Sequence, residues 1–268
     1  MDVKEIVIDY SPVELSEDTR NKIYKTERMK QEISRKRPFE GALLKQVKDF
    51  YRIDIVWSSE ALEGNTLTLD ETKVLLEDGI TVSGKPLKDA LRTYGHGHAY
   101  DYMYDLMNEN TLTIENIKRM HKLLMEKDNV EIAGKYKTVE NFISGSSYTT
   151  ISCSDLEDEM KRLSNWMEEN EKVMNPVEYA AELHRKLVYI HPFEDGNGRT
   201  ARLAMNTKLI QNGYLPCAVA PIHRLDYNNA LEAGRRGERE QFISLIADIE
   251  FETQKDFMRY MHMQMPEL

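Results

Sequence analysis

The sequence is organised around twelve residues, His191-Pro-Phe-Glu-Asp-Gly-Asn-Gly-Arg-Thr-Ala-Arg202. The first of them, His191, can exchange a proton near neutral pH. Four positions later comes Asp195, a carboxylate of the type that Mg²⁺ prefers as a ligand. The segment 196–198 follows, Gly-Asn-Gly, whose two glycines allow a backbone turn with its N–H groups directed at an anion.

Two arginines complete this run. Arg199 and Arg202 are three residues apart, so they share one face if a helix begins here. Guanidinium groups suit phosphate oxygens. Taken singly, these residues are better explained by a buried histidine at a helix end, a glycine-rich turn and a solvated arginine pair. As an ordered set their roles are complementary, and this favours a phosphate-transfer site.

Composition narrows the class of protein. At 268 residues the chain fits one large domain, or a domain with a small extension. A net charge of −10 argues against a nucleic-acid-binding surface as the main function. No apolar run approaches the roughly 20 residues of a membrane span, and the start of the chain lacks signal-peptide features. Two distant cysteines, Cys153 and Cys217, indicate reduced thiols, so we expect a cytoplasmic protein.

The twelve residues are similar, at every defined position, to the signature of the Fic (Fido) family, H-x-F-x-[D/E]-G-N-G-R-x-x-R. The resemblance implies a mostly all-α fold, a Fic-type helical bundle with a small β-hairpin flap, over residues 55–250. Residues 1–54 are interpreted as an N-terminal helical extension, and residues 251–268 as the end of a C-terminal helix. The implied activity is transfer of AMP from Mg-ATP to a Ser, Thr or Tyr hydroxyl of a protein, this chain included.

The resemblance also assigns roles to individual residues. His191 would deprotonate the hydroxyl, Asp195 would hold Mg²⁺ on the phosphates, and Phe193 would anchor the loop in the core. Six further residues would bind ATP. Tyr227 lies in the segment that flanks the adenine, and the phosphates would be bound by Gly196, Asn197, Gly198, Arg199 and Arg202.

A second segment, Ser59-Glu-Ala-Leu-Glu63-Gly64, is similar to the inhibitory motif of the family, [S/T]-x-x-x-E-[G/N]. The residues alone place Glu63 near the end of a predicted helix, where the helix dipole disfavours a negative charge. A cationic partner from elsewhere in the chain is therefore expected. By the resemblance that partner is Arg202, and the motif containing Ser59 and Glu63 keeps the enzyme autoinhibited.

Residues 139–150 are the chain's one good β-hairpin candidate, because short apolar and Thr-rich stretches flank a Gly-Ser-Ser turn. In the Fic family such a hairpin, the flap, holds the target segment by strand-like pairing. By this resemblance the target-binding residues are Phe142, Ile143, Ser144 and Gly145.

Histidines outside the signature suggest competing metal sites. His184 lies seven residues before His191, so these two and Asp195 form one candidate, but Pro192 is predicted to end the intervening helix and separate them. The segment Gly95-His-Gly-His98 offers a His-x-His pair without a nearby third ligand, and we expect a packing or hinge role for it. Its glycines are predicted to interrupt their helix.

Other functions stay open at this level. Phosphate transfer is disfavoured, because the phosphorylating members of the family carry Lys where this chain has Arg199. Removal of AMP, a non-catalytic nucleotide-binding regulatory module and a metal-dependent hydrolase are further alternatives. Relatives often have Asn at the position of Arg235, so the adenine contacts are not predicted. The protein target and the oligomeric state, monomer or homo-oligomer, are not determined.

Overall fold

A computed structural model describes residues 4–109, 111–143, 146 and 148–267. Within these ranges the chain forms ten α-helices and two short 3₁₀ turns, and β structure is confined to two isolated bridges. The helices are α1 (Glu17–Ser34), α2 (Gly41–Leu62), α3 (Leu69–Asp78), α4 (Leu87–Asp105), α5 (Ile114–Met125), α6 (Leu156–Asn170), α7 (Pro176–Ile190), α8 (Asn197–Gln211), α9 (Arg224–Arg235) and α10 (Glu240–Tyr260). The predicted mostly helical fold is confirmed.

The core is built around α7 and α8, the two helices that flank the signature. Every residue of α7 from Tyr179 to Ile190 is buried, and so is every residue of α8 from Arg199 to Ile210. A helix that is buried all round lies in the centre of a domain. Helices α6 and α10 contact α7, while α2, α4 and α5 contact α8. Both ends of the signature are therefore held by enclosed, rigid elements.

The start of α7 follows from its local sequence. The Asn175 side chain accepts a hydrogen bond from the Val177 N–H, and Pro176 occupies the first helical position. An Asn cap satisfies an N–H group that has no partner within the helix. Proline is tolerated at this position because its missing N–H would be unpaired anyway.

Helix α4 corrects one prediction. It runs without interruption through the segment Gly95-His-Gly-His98. A Cβ atom added to Gly95 would lie 2.7 Å from the Leu124 carbonyl oxygen of α5, and one added to Gly97 would lie 2.7 Å from the Leu76 side chain. These glycines serve close packing between helices rather than a break, at the modest helix-propensity cost of glycine.

The predicted divisions of the chain fall inside helices. The position 54/55 lies within α2, and 250/251 lies within α10. The segment before α1 also joins the core, because Ile6 and Ile8 are buried with it, and Lys4 forms a parallel bridge with Tyr148. Residues 4–54 thus pack as part of the same body as the signature helices.

Within the described ranges, no helix combines the length and apolar character needed to cross a membrane. Cys153 and Cys217 are both free.

Candidate active site

The signature connects α7 to α8 through a turn with unusual backbone geometry. His191 ends α7 at φ +55°, in the left-handed region, and Gly196 precedes α8 at φ +79°. Glycine adopts this conformation freely, whereas a histidine in it costs about 1–3 kcal/mol and needs support from its surroundings. The loop that follows His191 supplies that support.

Two side chains hold the loop internally. The Asn197 amide donates to the Phe193 carbonyl oxygen at 2.8 Å, and the Phe193 N–H donates to the Asn197 Oδ1 at 2.9 Å. The Phe193 ring is buried and stacks on the ring of His121, with centroids 3.8 Å apart. The core position predicted for Phe193 is therefore observed. The Asn197 amide, predicted to meet phosphate, is instead engaged within the loop.

His121 was not identified from the sequence. Its Nδ1 accepts from the Gly134 N–H at 3.0 Å, so its Nε2 carries the proton and donates to the Asp195 carbonyl oxygen at 2.9 Å. Burial lowers the pKa of His121 to about 4, which keeps the ring neutral. This histidine fixes the signature loop against α5, and no local pattern in the sequence marks it.

The His191 ring is neutral and has one nitrogen available to accept a proton. Its Nδ1 lies 3.2 Å from the Val188 carbonyl oxygen, which favours a proton on Nδ1 and leaves Nε2 to accept one. Burial lowers the pKa of His191 to about 4, and the positive charges of Lys137 and Arg235 act in the same direction. The ring is therefore neutral at pH 7, the state that a general base requires.

A cavity of about 260 Å³ lies beside His191. It brings together residues from the predicted inhibitory motif, flap and signature with one face of α9. Its walls are Glu63, Ile143, Val188, His191, Gly198, Arg202, Tyr227, Asn228, Leu231, Glu232 and Arg235. Of these, Asn228 and Leu231 belong with Tyr227 to the segment that resembles the family's adenine-flanking residues, whereas Glu232 was not singled out from the sequence.

Arg202 is the most extensively bonded group of this cavity. Its Nη2 donates to Glu63 Oε1 at 2.7 Å and to the Ser59 carbonyl oxygen at 3.0 Å, and its Nε donates to Ser59 Oγ at 2.8 Å. Its Nη1 donates to Tyr227 Oη at 3.1 Å. The pairing of Glu63 with Arg202 that the motifs imply is therefore present in the structure. The arginine side chain is 4% exposed, whereas that of Glu63 is 38% exposed.

Gly198 makes room for this pair. A Cβ atom at Gly198 would lie 2.5 Å from Glu63 Oε1 and 3.0 Å from Arg202 Nη1. A Cβ atom does not approach a carboxylate oxygen to 2.5 Å, so any larger residue would displace the Glu63 carboxylate. The second glycine of the Gly-Asn-Gly segment is thus needed for the approach of Glu63.

Asp195 is a half-exposed, ionised carboxylate. Burial alone would raise its pKa, but the charges of Arg199 and Arg92 and the Gly196 N–H lower it overall. Arg92 Nη2 lies 2.6 Å from Asp195 Oδ2. The contact with Arg92 was not predicted. Mg²⁺ commonly takes one or two protein carboxylates when phosphates supply the other oxygens, and Asp195 fits that use.

Arg199 lies elsewhere than predicted. It is 1% exposed and does not line the cavity that holds Arg202. Its Nη1 lies 3.1 Å from Glu60 Oε1, and its Nη2 lies 3.5 Å from Asp195 Oδ1. Spacing put both arginines on one helix, but the tertiary packing turns Arg199 into the protein and Arg202 into the cavity. Glu60 was missed, although it directly follows Ser59.

The competing histidine sites are not assembled. His184 is buried, its Nε2 lies 2.9 Å from Tyr227 Oη, and its ring stacks on that of Phe242. His96 is also buried, with Nδ1 2.9 Å from Glu60 Oε1. Across the part of the chain that the structure describes, no three His, Cys, Asp or Glu side chains are grouped to hold a metal ion.

The predicted flap is reduced, among the residues described, to one antiparallel bridge between Phe142 and Thr149. The Phe142 side chain is 78% exposed, and Ile143 lines the cavity. Ser144 and Gly145 lie outside the described residues. The flap therefore adjoins the cavity through Ile143, with Phe142 accessible beside it.

Comparison with known proteins agrees with this geometry. The model of the Fic/DOC family matches residues 111–209, which contain the flap, His191 and both signature arginines. The chain belongs to the Fic/DOC family. A structure of Fic-1 from C. elegans has a TM-score of 0.82 at 25% identity, and the match covers 91% of this chain and 73% of that one.

Curated relatives of this Fic chain are named protein adenylyltransferase Fic. The one from Nematostella vectensis is 33% identical over 195 residues, which are 72% of this chain and 45% of that protein. The one from Drosophila melanogaster is 35% identical over 211 residues, 78% of this chain and 42% of that protein. The chain thus spans less than half the length of these relatives.

Proposed function

We propose that this Fic protein transfers AMP from Mg-ATP to a Ser, Thr or Tyr hydroxyl of a protein and is autoinhibited by Glu63. One observation carries the proposal. Neutral His191 and the Arg202 guanidinium line the same cavity, and the Glu63 carboxylate forms an ion pair with that guanidinium. The name protein adenylyltransferase given to its relatives supports the same activity.

The chemistry assigned to His191 is proton removal. His191 Nε2 would take the proton of the target hydroxyl as the hydroxyl oxygen attacks the α-phosphorus of ATP. A phosphoester bond forms, the bond to the β-phosphate oxygen breaks, and pyrophosphate leaves. General-base assistance of this kind contributes about 10²–10⁴ in rate. The N–H groups at the start of α8 would face the phosphates, where the helix dipole favours negative charge.

Arg202 would bind the terminal phosphate in the place that Glu63 occupies. Ser59 and Tyr227 hold the guanidinium independently of Glu63, so it stays oriented when the carboxylate leaves. With 38% of its side chain exposed, Glu63 can move into solvent. While the pair is closed, ATP would bind with its α-phosphate displaced from the line of attack. A displacement of about 1 Å can lower a rate by ~10²-fold.

Asp195 would hold the Mg²⁺ that accompanies the nucleotide. Asp195 presents a single ionised carboxylate at the start of α8, which suits Mg²⁺ bound to phosphates rather than a protein cage. Such an ion would neutralise part of the negative charge of the phosphates. Arg92 and Arg199 would orient the Asp195 carboxylate from the protein side.

The nucleoside would extend along α9. Tyr227, Asn228, Leu231 and Arg235 all line the cavity. The first and last are eight residues apart, which is about 12 Å along a helix. Because Tyr227 contacts Arg202, the adenine would lie toward Leu231 and Arg235. The Arg235 guanidinium covers the Tyr189 ring, 4.6 Å from its centroid, and pairs with Glu232.

The target would pair with the flap next to Phe142 and Ile143. The exposed bridge residue Phe142 leaves a backbone edge that an extended segment could join.

We also propose a cytoplasmic location, consistent with the free cysteines. Assembly into a homo-oligomer remains a proposal that concentration-dependent sedimentation would test.

The intact mass of the protein after incubation with Mg-ATP tests this function. The Glu63→Gly variant should gain the mass of AMP faster than the wild type, and the Glu63→Gly/His191→Ala variant should gain nothing. A gain of phosphate mass would indicate phosphate transfer instead. An unchanged mass of Glu63→Gly, together with failure to modify proteins of a cell extract, would contradict the proposal and favour a non-catalytic module. Loss of AMP from a modified chain would indicate the reverse reaction.

A further inference from the structure

The last turn of α2 presents two carboxylates to the two signature arginines. Glu60 Oε1 lies 3.1 Å from Arg199 Nη1, and Glu63 Oε1 lies 2.7 Å from Arg202 Nη2. The acids are three residues apart on α2, and the arginines are three residues apart on α8. Residues at this spacing are neighbours on adjacent turns of a helix. The two pairs therefore form a matched double contact between the helices.

The two contacts differ in burial. The side chains of Glu60 and Arg199 are 3% and 1% exposed, whereas that of Glu63 is 38% exposed. Opening a buried pair leaves uncompensated charge in the protein interior and is strongly unfavourable. The Glu63 carboxylate, in contrast, can pass into solvent, and the Arg202 guanidinium that it leaves keeps its hydrogen bonds to Ser59 and Tyr227. The Glu63 contact can therefore open while the Glu60 contact stays closed.

Glu60 also ties α2 to elements other than α8. Its Oε1 accepts from His96 Nδ1 of α4 at 2.9 Å, and its Oε2 accepts from Asn65 Nδ2 at 3.4 Å. Asn65 continues the connection by donating to the Asp89 carbonyl oxygen at 3.0 Å. Burial would raise the pKa of Glu60, but the Arg199 charge and the His96 hydrogen bond outweigh burial and lower it to about 2. The tether is thus ionised throughout the working pH range.

We propose that Glu60 is a positioning residue that keeps the end of α2 docked on α8 while the Glu63–Arg202 pair opens and closes. This inference rests on the proposed function, because it assigns Glu60 a role relative to that brake. In the closed state the docked turn brings Glu63 within reach of Arg202. In the open state it keeps Ser59 on Arg202, so the guanidinium stays oriented toward the phosphate.

The proposal predicts opposite effects of Glu60→Gln in two backgrounds. With Glu63 present, loosening the turn weakens the brake, and self-modification should rise roughly tenfold, within the usual range of coupling between two sites. In the Glu63→Gly background no brake remains to be weakened. There the loss of Ser59 from Arg202 should lower kcat/KM for ATP, again roughly tenfold, mainly through KM.

Glu182→Gln is the matched control. Glu182 is equally buried, with 2% of its side chain exposed, and pairs with Arg185 at 2.7 Å and Lys186 at 2.6 Å within α7. Its ion pairs are with Arg185 and Lys186 of α7 and with Arg239, none of them in α2, so it reports the general effect of losing a buried carboxylate. Its effect on activity should have the same sign in both backgrounds. Glu60→Asp keeps the charge on a shorter side chain and should show the Glu60→Gln pattern more weakly. It replaces Glu60→Gln in the test if that variant does not fold.

Hydrogen exchange of residues 57–65 separates the tether from the brake. Glu60→Gln should increase exchange there, whereas Glu63→Gly and Glu182→Gln should leave it protected. Equal exchange in Glu60→Gln and wild type would overturn the proposal, even if Glu63→Gly is activated. Activity that falls in both backgrounds would reduce Glu60 to a stability role, and activity that rises in both would make it a second brake. If Glu63→Gly is not activated, the proposed autoinhibition by Glu63 fails, while increased exchange in Glu60→Gln would still support the tether.

Discussion

The signature helix α8 has a cavity face and a buried face, and the same chemical groups behave differently on each. On the cavity face, Arg202 contacts a half-exposed carboxylate that can leave. On the buried face, Arg199 contacts a carboxylate that is enclosed by α4 and α8. The cost of separating two charges depends on their access to water. The Glu63–Arg202 contact can therefore open and close, whereas the Glu60–Arg199 contact stays closed.

The loop that carries His191 shows the same division. His191 lines the cavity, while Phe193, two residues later, is buried against His121. A group that must meet a substrate needs an open side, and its precise placement needs a rigid support on the other side. Substitutions on the cavity face should therefore change activity, and substitutions on the buried face should change stability.

The largest expected effect belongs to His191. His191→Ala should lower the rate of AMP transfer by about 10²–10⁴, because the base is lost. The dissociation constant of ATP, measured by calorimetry, should change little. His191→Asn is the companion variant, since Asn tolerates the left-handed backbone of this position. If both variants retain transfer near the wild-type rate, His191 is not the base. Loss of folding in both variants would show that His191 contributes mainly to stability, like the residues of the buried face.

Phe193 tests the buried face. Phe193→Ala should lower the free energy of unfolding by about 3–5 kcal/mol, because it removes a fully enclosed ring and leaves a cavity. Urea denaturation measures this change. Phe142→Ala is the matched control, since its ring is 78% exposed and its removal should cost within about 0.5 kcal/mol. Similar losses in the two variants would remove the distinction between the loop support and the flap surface.

Glu63 tests the exchangeable contact through nucleotide binding. Glu63→Gly should tighten ATP binding more than ADP binding, because only ATP has the γ-phosphate proposed to replace the carboxylate. The substitution should also relieve the misalignment of the α-phosphate, which can change the rate of AMP transfer by up to ~10²-fold. Glu63→Asp should be intermediate, since its shorter side chain reaches Arg202 less well. Equal changes for ATP and ADP in calorimetry would show that the pair does not occupy a γ-phosphate site.

One histidine on each face should make the stability of the fold depend on pH. Burial lowers the pKa of His191, on the cavity face, and of His121, on the buried face, to about 4 each. Between pH 6.5 and 4 the unfolded chain binds protons that the folded chain does not, so stability is full above pH 6.5 and declines toward pH 4. The urea midpoint at pH 7.5, 6.0 and 5.0 measures this decline. A constant midpoint would contradict it, and His191→Asn should make the decline shallower.

The sequence by itself determined the family, the helical class and the chemical inventory of the site. Twelve consecutive residues name a base, a carboxylate, a glycine turn and two guanidiniums, and the inhibitory motif names Glu63 and its partner Arg202. The family and the helical class are confirmed, and the Glu63–Arg202 contact is present, because these inferences depend on residue types and short spacings. Helix starts such as Asn175-Pro176 follow equally from local sequence, because a cap acts within one turn.

Only the tertiary structure decided how deep each group lies and which neighbour it meets. Spacing placed Arg199 and Arg202 on one helix, but the packing of α2 and α4 buries the first on Glu60 and opens the second to the cavity. The stack of His121 on Phe193 and the contact of Arg92 with Asp195 join segments that are distant in the chain. Burial sets the strength of a charge contact and the pKa of a histidine, and burial is a property of the whole packed chain rather than of any stretch of it.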